Sequence, residues 1–247
     1  MEVWLTTMNS LGAHEVLELH EVLSDAIHGL NTLKLYRPHA RDQRLQAMVD
    51  RHMQNLTMEY NHLVQMAHRQ GASQAVPSRL SNQNAGMLNP NAGMASVMHS
   101  SMTPGTGAGV NAGMNLGMTP DLSFHPIYGL RDPQTQTPAG SVEDIDDLDV
   151  TICLVNCHKQ TAVLKMKAAL EMADPTLRHA LQTAANTSAN LAYEAFQYAN
   201  QQGYYQVPAL KETTMNTFMD VYGMAPAAQA QAHMQMQQMH SPQGMQM

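Results

Sequence analysis

The chain has 247 residues, a formal net charge of −7, 13% charged residues and 5% aromatics. Its 13 Lys and Arg are scattered rather than clustered, which excludes the basic surface that phosphate backbones need and with it a nucleic-acid partner. The 22 Met, set among many Gln, Asn and Ala, mark part of the chain as low-complexity.

The opening segment "MEVWLTTMNSLGAHE" has neither a basic n-region nor an apolar core of signal-peptide length, and no stretch reaches the roughly 18 apolar residues of a membrane span. Synthesis as a soluble cytosolic polypeptide is the expectation. From about residue 11, Val16, Leu19, Leu23, Ala26, Leu30 and Leu33 step by three and four, the stripe of an amphipathic helix that Pro38 ends. A second helix is predicted from about Arg41 to Arg69, with Leu45, Val49, Leu56 and Leu63 inward, Met53, Tyr60 and Ala67 beside them, and Gly71 as its stop.

Residues 72–140 carry Gly, Pro, Asn and Ser throughout, and the unit Asn-Ala-Gly-Met occurs three times. Such a segment offers too little apolar surface to offset its ordering entropy, so a flexible insert is expected, with "FHPIYGL" at 124–130 as the one patch able to dock. Helical pattern resumes near Val142, and a third stripe is predicted on Val150, Leu154, Cys157, Thr161, Leu164 and Ala168. Asp174 and Pro175 supply an N-cap and first-turn pair for a fourth helix, whose face of Leu177, Leu181, Ala184, Ser188, Leu191, Ala195 and Tyr198 runs to a stop at Gly203. The tail 224–247 is again low-complexity and expected to be disordered.

The halves repeat. "DQRLQAMVDRHMQNLTMEYNHLVQMAHRQG" from Asp42 and "DPTLRHALQTAANTSANLAYEAFQYANQQG" from Asp174 align without a gap. A duplicated hairpin makes an all-α four-helix bundle, with 1–71 and 141–223 as one domain, 141–223 also holding a short C-terminal helix, and the insert as its long crossover. The segment "QYANQQGYYQVPAL" (197–210), closing the second hairpin, resembles the spore coat protein F family of endospore-forming bacteria. That resemblance, over residues 11–71 and 142–222, implies a ferritin-like bundle, synthesis in the mother-cell cytoplasm, and deposition in the spore coat beside other coat proteins or copies of itself. It implies a structural component rather than an enzyme, with no cofactor.

One spacing raises a rival. In "MEYNHL" Glu59 and His62 stand three apart, the Glu-x-x-His interval of a ferritin-like di-metal helix, and a metal-binding oxidoreductase or iron-storing bundle would centre on them. The partner ligands are missing from the sequence. Glu15 lies close to the start of the first helix, Glu18 and Glu21 fall off its stripe, the third helix has no carboxylate between Val150 and Leu170, and the residues aligned with Glu59 and His62 are Leu191 and Glu194. The expectation is therefore a polar flank of His52, Asn55, Glu59 and His62 that holds no metal. Cys153, Cys157 and His158 suggest zinc or a thiol pair, but zinc needs two more ligands and cysteines one turn apart are poorly placed to bridge each other. Core packing is the preferred reading, with an intermolecular cross-link as the narrower one. The acidic run "EDIDDLD" (143–149) lacks the glycine turn of a calcium loop and reads as charge favoured at a helix start capped by Ser141.

Overall fold

The computed structural model describes residues 11–72, 75–77, 123–133 and 135–225. Most of the expected flexible insert and the expected disordered tail lie outside the described residues. Among the described ones there are four long helices, α1 (Ala13–Tyr36), α2 (Gln43–Arg69), α3 (Asp147–Glu171) and α4 (Pro175–Gln202), a short α5 (Glu212–Met219), and no strand beyond one isolated bridge. The all-α fold of two helical hairpins expected from the sequence is the fold observed among the described residues. Its long helices have 24, 27, 25 and 28 residues, roughly 36–42 Å each at 1.5 Å per residue.

The helix ends follow from local chemistry that the two hairpins share. Asp42 caps α2 by accepting from Arg44 N, and Asp174 caps α4 by accepting from Thr176 N and Leu177 N. Each of these helices ends in Gln-Gly, with Gly71 at φ +71° and Gly203 at φ +81°, where a side chain would clash with its own backbone. The third helix departs from expectation at its start: its cap is Asp146, paired with Asp149 in a capping box, while Ser141 precedes only the 3-10 turn Val142–Asp144. Asp146 has the advantage of standing directly ahead of the apolar periodicity.

Each hairpin turn is gripped by a carboxylate of the other hairpin. Asp147 at the start of α3 accepts from Arg41 N (2.6 Å) and Asp42 N (3.1 Å), while Glu15 in the first turn of α1 accepts from Ala173 N and Asp174 N (2.9 Å each). Glu15 is thus buried as a clasp. Burial works to raise its carboxyl, but the amides of Asp174, Gly12 and Ala173 outweigh it and hold the group below the usual Glu value.

α1 lies beside α2 and α3, and α4 packs most closely of all on α3. The small residues Ala180, Ala184, Ala185, Ser188, Ala192 and Ala195 on α4 permit that approach. The apolar core falls into two clusters, one around Leu19, Leu23, Leu63, Ala168, Leu177 and Leu181, the other around Leu33, Leu45, Val49, Leu56, Val150, Leu154 and Tyr198. Each fully buried Leu contributes roughly 1.5–3 kcal/mol.

Residues 124–127 of the patch "FHPIYGL" dock on α4. Buried Asn200 on α4 accepts from Ile127 N (2.7 Å) and donates to Ile127 O (3.0 Å), and Phe124 meets Tyr193 and Phe196 edge-on. A second, small unit comprises residues 128–130 and, among the described residues, 207–225. In it Tyr128 bridges Val207, Gly129 N donates to Val207 O (2.8 Å), and α5 carries exposed Met215, Phe218 and Met219.

Candidate functional site

Between the two apolar clusters lies a belt of buried polar side chains: His52, Asn55 and Glu59 from α2, His158, Thr161 and Lys165 from α3, and Ser188 from α4. Its layout follows from helix geometry. His52 and Glu59 stand seven residues apart, as do His158 and Lys165, and seven residues are two turns, roughly 10.5 Å of rise. Because the long crossover lets α2 and α3 run in the same direction, the two pairs meet in register and form two layers.

In the first layer His52 Nδ1 lies 3.0 Å from His158 Nε2, and His52 Nε2 lies 3.2 Å from Glu194 Oε2. Glu194 also pairs with Arg51 at the surface. An ionised carboxylate can only accept, so neutral His52 donates from Nε2 and accepts the hydrogen bond of His158 Nε2–H on its Nδ1, which leaves His158 Nδ1 as a bare buried nitrogen with no partner. Burial pushes both imidazoles below their ordinary 6.5, His158 far below it, with His52 and Lys165 acting in the same direction on His158. Burial works to raise Glu194, yet its bonds to His52 and Arg51 more than offset that and leave it low.

The second layer is sealed. Lys165 is 0% exposed, donates to Ser188 Oγ at 2.8 Å, and forms an ion pair with Glu59 Oε1. Burial raises the Glu59 carboxyl and the lysine pulls it back only in part. Between the layers Thr161 donates to Asp25 of α1 (3.1 Å). Asp25 faces a 460 Å³ cleft between α1 and α3 that Cys153, Cys157 and His28 also line. Both cysteines are free thiols, and burial followed by the neighbouring thiol lifts Cys153 to about 11, so neither observation marks a reactive thiolate.

Glu59 and His62, the pair on which the rival metal reading rests, have different surroundings. Glu59 points into the core against Lys165, whereas His62 is only half-buried and is depressed by that burial and by Arg69. His52 and Asn55 belong to the core rather than to a flank. A ferritin-like di-metal centre needs carboxylates from all four helices, and here α3 contributes a lysine, α1 contributes Asp25 bonded to Thr161, and Glu15 is spent on backbone amides. Among the described residues no three of His, Cys, Asp and Glu gather as a metal site. These residues do not fit two metal ions.

Sequence reasoning placed Cys157 and Leu164 on the buried stripe of α3; Val150, Leu154, Thr161 and Ala168 of that stripe are buried as predicted, but the buried face extends one residue further round, so His158 and Lys165 are buried while Cys157 and Leu164 are half-buried. The signal that could have found the pair is the matching seven-residue interval, His52 to Glu59 and His158 to Lys165, ending in opposite charges.

Comparisons with known proteins bear on the broader question. Residues 146–208 match the Coat F domain. The resemblance read from "QYANQQGYYQVPAL" is thereby borne out, and the Coat F segment begins at Asp146, the cap of α3, and takes in His158, Lys165, Ser188, Glu194 and Asn200. The spore coat protein F-like protein YhcQ of Bacillus subtilis (strain 168) is 28% identical over 222 residues, which cover 88% of this chain and 85% of that protein. No solved structure matches. No helix of the described residues is long and apolar enough to cross a membrane.

Proposed function

We propose that this chain is a structural component of the spore coat, synthesised in the mother-cell cytoplasm and assembled through contacts with other coat proteins. The observation that carries the reading is the Coat F match over α3, α4 and the segment after them. The interior supports a scaffold rather than a catalyst. Its ionised groups are paired with one another, Glu59 with Lys165 and Glu194 with Arg51, and the 460 Å³ cleft between α1 and α3 is lined by Asp25, His28 and the two thiols rather than by His52, Glu59, His158 or Glu194. The outside supplies contact surface: Val163, Met166 and Leu170 stand at helical spacing on α3 and are exposed.

A fluorescent fusion followed through sporulation of an endospore-forming host tests the reading. The expected outcome is a ring around the developing spore that persists on the released spore. Diffuse fluorescence confined to the mother cell would instead assign the protein a cytosolic adaptor function.

A further inference from the structure

We propose that Lys165 does in this bundle what a metal ion does in a metal-centred one: its ammonium is the internal cation that joins α2, α3 and α4, and its presence keeps divalent cations out. The position is central, because Lys165 lies in the polar belt between the two apolar clusters and is fully buried. Its contacts are those a cation would take, a carboxylate oxygen of Glu59 on α2 and a hydroxyl oxygen of Ser188 on α4. Within the belt itself the charges are matched without any other ion, Asp25 lying outside it on the open cleft between α1 and α3. Glu59 is matched by Lys165, Glu194 by Arg51, and the two imidazoles are neutral, so a divalent cation entering the belt would bring an unmatched double charge into a medium that penalises it heavily. A metal ion taking Glu59 Oε1 would displace the lysine from it, and the ammonium would then be buried without a counter-charge.

Two measurements on the full-length chain test this. Dialysis against Mn²⁺ alone, followed by elemental analysis, is expected to leave no stoichiometric metal on the wild type, and the thermal midpoint is expected to be the same with Mn²⁺ and with a chelator. Lys165→Met, which leaves Glu59 buried and alone, is expected to lower the midpoint by about 10 °C. Adding Glu59→Gln to that variant removes the unmatched charge and is expected to restore at least half of the loss. One or two Mn²⁺ bound per wild-type chain and released by Glu59→Gln would overturn the proposal, and that arm needs no Lys165 variant to fold. A double variant no more stable than Lys165→Met would overturn it as well, because a lysine acting only by its bulk would give that result.

Discussion

The two hairpins are alike at their ends and unlike inside. α2 and α4 start on an aspartate cap, end on Gln-Gly with the glycine left-handed, and have their turns held by carboxylates from the opposite hairpin. At mid-length the repeat breaks. His52 and Glu59 of α2 align with Ala184 and Leu191 of α4, and the polar partners of the first hairpin come instead from α3. The difference shows which constraints a duplicated sequence retains. Caps and stops are satisfied within a few residues and are repeated without regard to what packs against them, whereas a buried charge requires an opposite charge across the bundle and so demands complementarity, not repetition.

The strongest way to break that asymmetry is at its charged centre. Glu59→Gln leaves Lys165 buried beside a neutral amide and is expected to cost roughly 3–5 kcal/mol in denaturant unfolding, while Leu191→Met at the aligned position of α4 conserves volume and is expected to cost under about 1.5 kcal/mol. Equal effects at the two positions would erase the distinction. The histidine layer gives a pH signature next. His52 and His158 have folded values depressed below 6.5, so the unfolded chain binds more protons below that pH; their contribution is present above about 6.5 and is lost as pH falls through the folded values. Glu59, raised by burial, works with opposite sign, its contribution fading as pH rises. The thermal midpoint is expected to fall between pH 7.5 and 5.5, and to fall less in His158→Gln; parallel curves for the two proteins would remove the imidazoles from the account.

The repeated ends should respond more weakly and in matched pairs. Glu15→Ala frees the amides of Gly12, Ala173 and Asp174 and is expected to cost about 2 kcal/mol, with Asp147→Ala, at its more exposed clasp, costing about 1 kcal/mol. Thermal denaturation of both variants compares the clasps, and a larger loss at Asp147 would reverse their order. Smallest are the stops. Gly71→Ala meets no atom within 4 Å and Gly203→Ala only the Arg131 side chain at 3.7 Å, so both should show the backbone cost alone, about 1 kcal/mol each. A much larger effect at one of them would mean that the ends are not equivalent.

The fold was legible because its signals are local and redundant. Apart from half-buried Val16, the main stripes of α1, α2 and α4 are buried as their periodicity predicts, and Asp174, Pro175, Gly71 and Gly203 act where the sequence puts them. The site was legible only in part. Glu59 stood out, but its apparent partner His62, three residues away, was the wrong one; the real partner is 106 positions further on. Counting apolar residues on α3 favoured Cys157 and Leu164 because a stripe fit treats lysine and histidine as outward-facing, and it has no term for a carboxylate waiting on another helix.

Composition, periodicity, capping and the internal repeat therefore determined by themselves that this chain forms two helical hairpins with a long crossover, since each of those preferences is met by neighbours in sequence. Tertiary structure alone decided that α2 and α3 run parallel with their seven-residue intervals in register, and so that a histidine faces a histidine and a glutamate a lysine. The physical reason is range. A helix end finds its hydrogen-bond partners within one turn, but a buried ion pair exists only where packing removes water from both charges at once.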